Sequence, residues 1–140
     1  MISTRGRYSL RIMLDLAEHP GGYTPMREVA ARQDISLKYM EKIVPLLTGA
    51  GFIEGVHGRG GGYRLRRAPE DITVGEVLRV TEGDLAPVSC LECGAKPCQR
   101  AAYCRTLPMW QEYYRLTNEY FDGISLAALL AHDAPGDYVI

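Results

Sequence analysis

Four of the five residues from Gly58 to Gly62 are glycine, and two short β-prone segments, Phe52–Val56 and Tyr63–Leu65, flank them. In that setting the run predicts a hairpin tip, because glycine enters positive-φ turns without steric cost. Three short helices are predicted before it. Over 4–19, Tyr8, Ile12 and Leu16 recur at helical spacing, and Gly21-Gly22 ends the segment. Thr24 as N-cap and Pro25 at the first helical position open a second helix, 25–33. Asp34-Ile35 is a turn. Ser36 then caps a third helix, 37–50, with Ile35 placed to staple onto Met40. Pro45 inside it removes one backbone hydrogen bond and predicts a bend.

Beyond the hairpin, Thr73 to Glu76 forms a capping box with an Ile72/Val77 staple, opening a helix to about Thr81. Residues 84–105 read as irregular. A long helix, 106–122, carries Trp110, Tyr113, Thr117, Tyr120 and Phe121, aromatics whose spacing suits packing and a dimer seam more than a ligand cage. Ser125 caps a last helix, 126–131, and 132–140 reads as a tail. The expected fold is mainly α with a small two-stranded β wing: a winged helix-turn-helix plus a long C-terminal dimerisation helix. It divides into 1–83 (DNA-binding), 84–105 (cysteine-rich loop), 106–131 (dimerisation) and 132–140 (tail).

With 140 residues, 46% hydrophobic and 24% charged, the chain is too short for a barrel enzyme and too apolar for disorder. It holds no apolar run near the ~20 residues that span a bilayer. Met1–Arg7 does not open a signal peptide, so the cytoplasm is expected and no membrane partner. Charge is uneven. Residues 1–67 carry 11 Lys+Arg against 6 Asp+Glu, whereas 68–140 carry 5 against 11. A basic first half suits a polyanion. The glycine run is not a phosphate cradle, since no Gly-Lys-Ser/Thr follows and the next element is a strand. No catalytic constellation is present, so an enzyme is not expected.

In a winged helix-turn-helix the third helix enters the major groove by its N-terminal end. Ser36, Lys38 and Tyr39 can reach phosphates or base edges there, Glu41 can accept from a cytosine amino group, and Lys42 can reach guanine or phosphate. His57 and Arg59 at the hairpin tip suit a minor groove or flanking backbone.

Thr4-Arg5-Gly6-Arg7-Tyr8, Met13–Ala17, Ile35–Glu41, Gly58–Tyr63 and Ile72–Val77 together resemble the Rrf-two family of bacterial winged-helix regulators (IscR-, NsrR- and CymR-like), from Ile2 to about Leu130. The resemblance implies a homodimer, built on helix 106–122, that binds a pseudo-palindromic operator and usually represses. It places DNA contacts at Ser36, Lys38, Tyr39, Glu41, Lys42, His57 and Arg59. IscR-like members often have Ser at the position of Lys38 and Arg at that of His57, which leaves the operator sequence open.

All four cysteines fall in the spacing Cys90-x2-Cys93-x4-Cys98-x5-Cys104. Such a cluster suits an iron–sulfur group or zinc, and a thiol switch is a third option because Lys96, Arg100 and Arg105 are at hand. The resemblance favours a [2Fe-2S] cluster held by three cysteines, with Cys98 and Cys104 as the final pair and Cys90 ahead of Cys93 as the first. Leu107 stands where IscR-like members have a ligand His, and Tyr8 where others use an acidic residue. The fourth ligand is therefore open, with Cys93 a candidate. The alternative is a zinc-stapled regulator or protein-interaction module without a sensing cluster. The ending Asp137-Tyr138-Val139-Ile140 resembles the tail of CymR-like members, which implies a possible cysteine synthase contact; a frayed end is the simpler reading.

Overall fold

The computed structural model describes residues 1–132. The elements run α1 (Thr4–Glu18), α2 (Met26–Gln33), α3 (Leu37–Gly49), β1 (Ile53–Val56), β2 (Gly62–Leu65), α4 (Val74–Glu82), α5 (Leu107–Asp122) and α6 (Leu126–Leu130). Short 3-10 turns lie at Pro69–Asp71, Ser89–Leu91 and Ala101–Tyr103. The expected fold class holds: helices in the expected order, with one two-stranded antiparallel sheet.

Local chemistry sets these boundaries. Ser36 Oγ accepts from Tyr39 N–H at 3.1 Å, and Ser125 Oγ accepts from Ala128 N–H at 3.0 Å. The capping box is present in both directions: Glu76 N–H donates to Thr73 Oγ1 at 3.1 Å and Thr73 N–H to Glu76 Oε2 at 2.9 Å. Those bonds, led by the Thr73 backbone N–H and joined by Arg67, outweigh burial and hold the Glu76 carboxyl below its ordinary range. Asp34 closes α2 in the left-handed region, φ 53°, as Asx residues can. Helix α3 continues through Pro45.

The first three helices, β1, α4 and α6 share one core. Ile12, Met13, Met40, Ile43, Leu47, Ile53, Ile72, Val77 and Leu126 are almost fully buried in it. Ile35 and Met40 both lie inside, as the staple predicts. The start of α1 is tied to the end of α4, where Ser3 N–H and O–H donate to Glu82 Oε1 at 3.1 and 2.6 Å.

Thr24 departs from expectation. It does not cap α2, whose N-cap is Pro25 with no side-chain bond. Its backbone instead pairs with Tyr63, N–H to carbonyl in both directions at 2.8 Å, adding a third strand-like rung to the hairpin. Glycine at 62 makes this possible: a Cβ there would lie 2.3 Å from the Thr24 carbonyl, and φ is +149°. The hairpin is therefore fastened to the α1–α2 connection, with Ile53 opposite Leu65 and Val56 opposite Gly62.

Among the described residues no helix is long and apolar enough to cross a membrane. The tail, with Asp137–Ile140, lies outside the described residues.

Candidate nucleic-acid interface and cysteine loop

Helix α3 presents Lys38, Glu41 and Lys42 to solvent from its first turns. Spacings of three and four place all three on one face. Ser36 is exposed but its oxygen is engaged as the cap, leaving its hydroxyl proton free to donate. Tyr39 is half-buried, its ring edge-on to Tyr8 at 5.3 Å between centroids. Leu37, which the polar reading of the helix passes over, is 49% exposed beside Lys38. An exposed aliphatic group there can contact a thymine methyl.

His57 and Arg59 stand exposed at the hairpin tip, across an open cleft from the second half of α3, Val44 to Gly49. Among the described residues, no carboxylate lies within ion-pair distance of Lys38, Lys42 or Arg59. Arg32, Arg64, Arg67, Arg79 and Arg115 are all paired with carboxylates. Lys38, Lys42 and Arg59 are therefore held by no carboxylate partner among the described residues and can each meet an incoming phosphate.

The cysteines lie in the loop joining α4 to α5. Cys90, Cys93 and Cys98 are exposed and Cys104 is partly covered. Among the described residues no three His, Cys, Asp or Glu side chains converge as a metal-holding group. The donor set has the right chemistry, four thiols on one exposed loop, but the loop as folded does not gather it. Leu107, at the position of the absent His, is the first residue of α5, and Tyr8 packs on Tyr39 at the α3 side.

Asp84, which sequence reasoning missed, anchors the loop. Its carboxylate accepts from Cys93 N–H at 2.8 Å, Tyr114 O–H at 2.7 Å and Ala86 N–H at 3.0 Å. Burial pushes this carboxyl up, but the Cys93, Tyr114, Ala86 and Leu85 bonds together bring it below the ordinary Asp range. Tyr114 is pushed up by the same bond to Asp84. One turn along α5, Asn118 Nδ2 donates to the Tyr114 carbonyl at 2.9 Å, and Asn118 Oδ1 accepts from Arg79 of α4 at 3.0 Å. Polar contacts therefore run from the loop along α5 to α4.

Cys104 stands just before α5, its sulfur 3.4 Å from Thr106 Oγ1. Hydrogen bonding from the Thr106 side chain, then from its backbone N–H, holds the thiol below its ordinary value; Leu107 N–H and the Arg100 charge add to this, while burial opposes it. Arg100, one of the basic residues flagged in the sequence, adds its charge at this sulfur.

Helix α5 has no fully buried residue. Tyr114 and Phe121 turn inward against Val74, Leu78 and Leu85. Met109, Tyr113, Leu116 and Tyr120 point outward, Tyr113 being 55% and Tyr120 67% exposed. Their steps of four, three and four residues form a coiled-coil-like apolar stripe. The heavy aromatic face expected from the sequence is therefore split between an inward side and an unpartnered outward one.

A helix-turn-helix fastened to a wing, with unpaired cations on both, defines a winged-helix DNA-binding protein. Comparisons with known proteins place it more closely. The Rrf2 family model, described as an iron-dependent transcriptional regulator, matches residues 2–132. The IscR transcriptional regulator of Aliivibrio salmonicida is 35% identical over 130 residues, 92% of this chain and 76% of the relative. Among solved structures, CymR, the global cysteine regulator of B. subtilis, superposes with a TM-score of 0.77 at 34% identity, over 96% of this chain and 98% of that one. IscR of T. potens superposes with a TM-score of 0.76 at 32% identity, over 100% and 93%. The chain belongs to the Rrf2 family of DNA-binding transcriptional regulators and is a regulator rather than an enzyme.

Proposed function

We propose that the chain acts as a homodimeric regulator, in the sense of repression, on a pseudo-palindromic operator, and that the state of the Cys90–Cys104 loop sets its affinity for DNA. Ser36, Lys38, Tyr39, Glu41 and Lys42 enter the major groove, and His57 and Arg59 grip the flank through the minor groove. The outward stripe of α5 forms the dimer seam. A second helix laid on it covers Tyr113, Leu116 and Tyr120 and brings two recognition helices onto one duplex.

The observation that carries this reading is the placement of the loop. Four thiols sit on one exposed segment, fastened by Asp84 to Tyr114 of the helix whose other face forms the seam. A [2Fe-2S] cluster would be held by Cys90, Cys98 and Cys104, with Cys93 as the candidate fourth ligand. When bound, the cluster supplies a group that changes with redox state, iron supply or nitric oxide. Gathering the thiols must move the loop, and the loop is tied to α5, so operator affinity changes with occupancy.

Anaerobic purification with a visible spectrum and counts of iron, sulfide and zinc per chain tests the cofactor. Brown protein with matched iron and sulfide is the expected result. Colourless protein carrying zinc makes the loop a staple and overturns the sensing cluster. The triple variant Cys90→Ala, Cys98→Ala, Cys104→Ala should change operator affinity or site preference relative to the loaded chain. Identical binding curves would separate the loop from DNA reading.

A further inference from the structure

The last residue of α2 directly precedes the turn that launches the recognition helix. Gln33 is held there on both of its carbonyl groups by one guanidinium. Arg11 of α1 donates Nε–H to Gln33 Oε1 at 3.3 Å and an Nη2 proton to the Gln33 backbone carbonyl. The other end of the same carboxamide is also engaged, since Gln33 Nε2 donates to Asp15 Oδ2 at 2.9 Å. Asp15 is 1% exposed and is further clamped by Arg32, whose Nη2 and Nε donate to Oδ1 and Oδ2 at 2.7 and 3.0 Å. Arg11 in turn lies over the Tyr8 ring, 5.0 Å from its centroid, and Tyr8 meets Tyr39 of α3 edge-on.

The chemistry at this position is demanding. One neighbour is a buried carboxylate that needs a donor, and the other is a guanidinium that needs an acceptor. A carboxamide of this length supplies both. Glutamate would set a second carboxylate against Asp15, and an aliphatic residue would leave both partners short of a bond. No DNA contact is assigned to Gln33, and its interactions all point into the body.

We propose that Gln33 is a positioning residue for DNA reading: clamped between Asp15 and Arg11, it fixes the turn and the Tyr8–Tyr39 contact that aim the start of α3 at the major groove. The inference rests on α3 being the reading helix. It adds that the aim of α3 is set by polar contacts rooted in α1, beyond the Ile35/Met40 packing beneath it.

The test uses the full chain and an operator selected from a randomised duplex pool, with a scrambled duplex for non-specific binding. Gln33→Met keeps the length but neither donates nor accepts. It should weaken operator binding about tenfold while leaving scrambled-duplex binding within about twofold. Gln33→Glu adds a readout that loss of packing does not move. Its affinity relative to the parent should be lower near pH 8 than near pH 5, because a proton on either carboxyl restores a donor between positions 33 and 15. The charged and titratable groups facing that pair are Arg11, Glu18 and His19 from α1, Glu28 and Arg32 from α2, and the Tyr8 and Tyr39 rings. Taking the ratio to the parent at each pH removes their common contribution and that of His57.

Operator affinity equal to the parent's in Gln33→Met, equal losses on both duplexes, or a pH-independent ratio for Gln33→Glu would each overturn the proposal. If the parent chain selects no sequence from the pool, the DNA-reading role fails first and the inference goes with it. That failure is distinct from a parent that selects an operator and a Gln33 variant that binds it unchanged.

Discussion

The winged-helix body and the cysteine loop with α5 are held together in different ways. In the body, side chains such as Met13, Ile43, Leu47 and Ile72 are fully removed from water, and Asp15 is buried with both carboxylate oxygens hydrogen-bonded. In the loop, three of four cysteines are exposed, and α5 has no fully buried residue. Asp84, Tyr114 and Asn118 fasten that region with polar contacts at its margin. Burial makes the body resistant to small changes, whereas a segment fastened by a few partly exposed bonds can rearrange at low cost. A reader of DNA needs the first property and a responsive loop needs the second.

The largest expected contrast is in stability. Leu47→Ala, at a fully buried position, should lower unfolding free energy by about 3 kcal/mol. Cys90→Ala in the metal-free chain should change it by less than about 0.5 kcal/mol in the same urea titration. A large cysteine effect without metal would show that the loop belongs to the core.

Next comes the proposed seam on α5. Replacing Tyr113 and Tyr120 together with Ser should weaken self-association by about a hundredfold in sedimentation equilibrium, with little effect on the fold of each chain. Unchanged association would move the dimer contact to another surface.

Asp15 sharpens the comparison through pH. Burial raises its carboxyl, but hydrogen bonds from Arg32 and Gln33 and the Arg32 and His19 charges outweigh burial and hold it below the ordinary Asp range. A carboxyl depressed in the folded state gives stability that is present above its unfolded pKa and lost as pH falls through its folded pKa. Asp15→Asn should therefore cost about 2 kcal/mol at neutral pH and flatten the acid limb of the stability profile. An unaltered acid limb would remove Asp15 from that role.

The smallest effect belongs to the loop's own fastening. Tyr114→Phe removes one partly exposed bond to Asp84, worth about 1 kcal/mol. It should raise the rate at which a disulfide reagent modifies Cys93 severalfold while leaving amide exchange in α3 unchanged. An equal change in both would show that the two regions open together.

Much of the body was legible in the sequence because its boundaries come from local chemistry. Ser36, Ser125 and the Thr73–Glu76 box act within one helical turn, and the glycine run marks the wing without reference to the rest of the chain. The expectations that failed or were missing depend on distant partners. Thr24 has the composition of a cap, but Tyr63 claims its backbone 39 residues on. Asp84 reads as an ordinary loop acid until Cys93 and Tyr114 are brought to it, and Gln33 as a polar helix end until Arg11 and Asp15 flank it. On α5 the aromatics drew attention from the sequence, whereas the stripe is completed by Met109 and Leu116 and loses Phe121 to the interior. The cysteine spacing pointed to a soft-metal site, but proximity along the chain does not bring four thiols to one centre.

Operator binding as a function of salt tests the DNA-reading role most directly. Selection from a randomised duplex pool followed by titration at several ionic strengths should give sequence-selective binding that weakens steeply as salt rises, as released counterions require. Lys42→Ala should reduce the salt slope by about one if Lys42 contacts phosphate, and should relax selectivity if it contacts guanine. Binding without sequence preference, or an operator complex indifferent to salt and to Lys42, would contradict an α3 that enters the major groove.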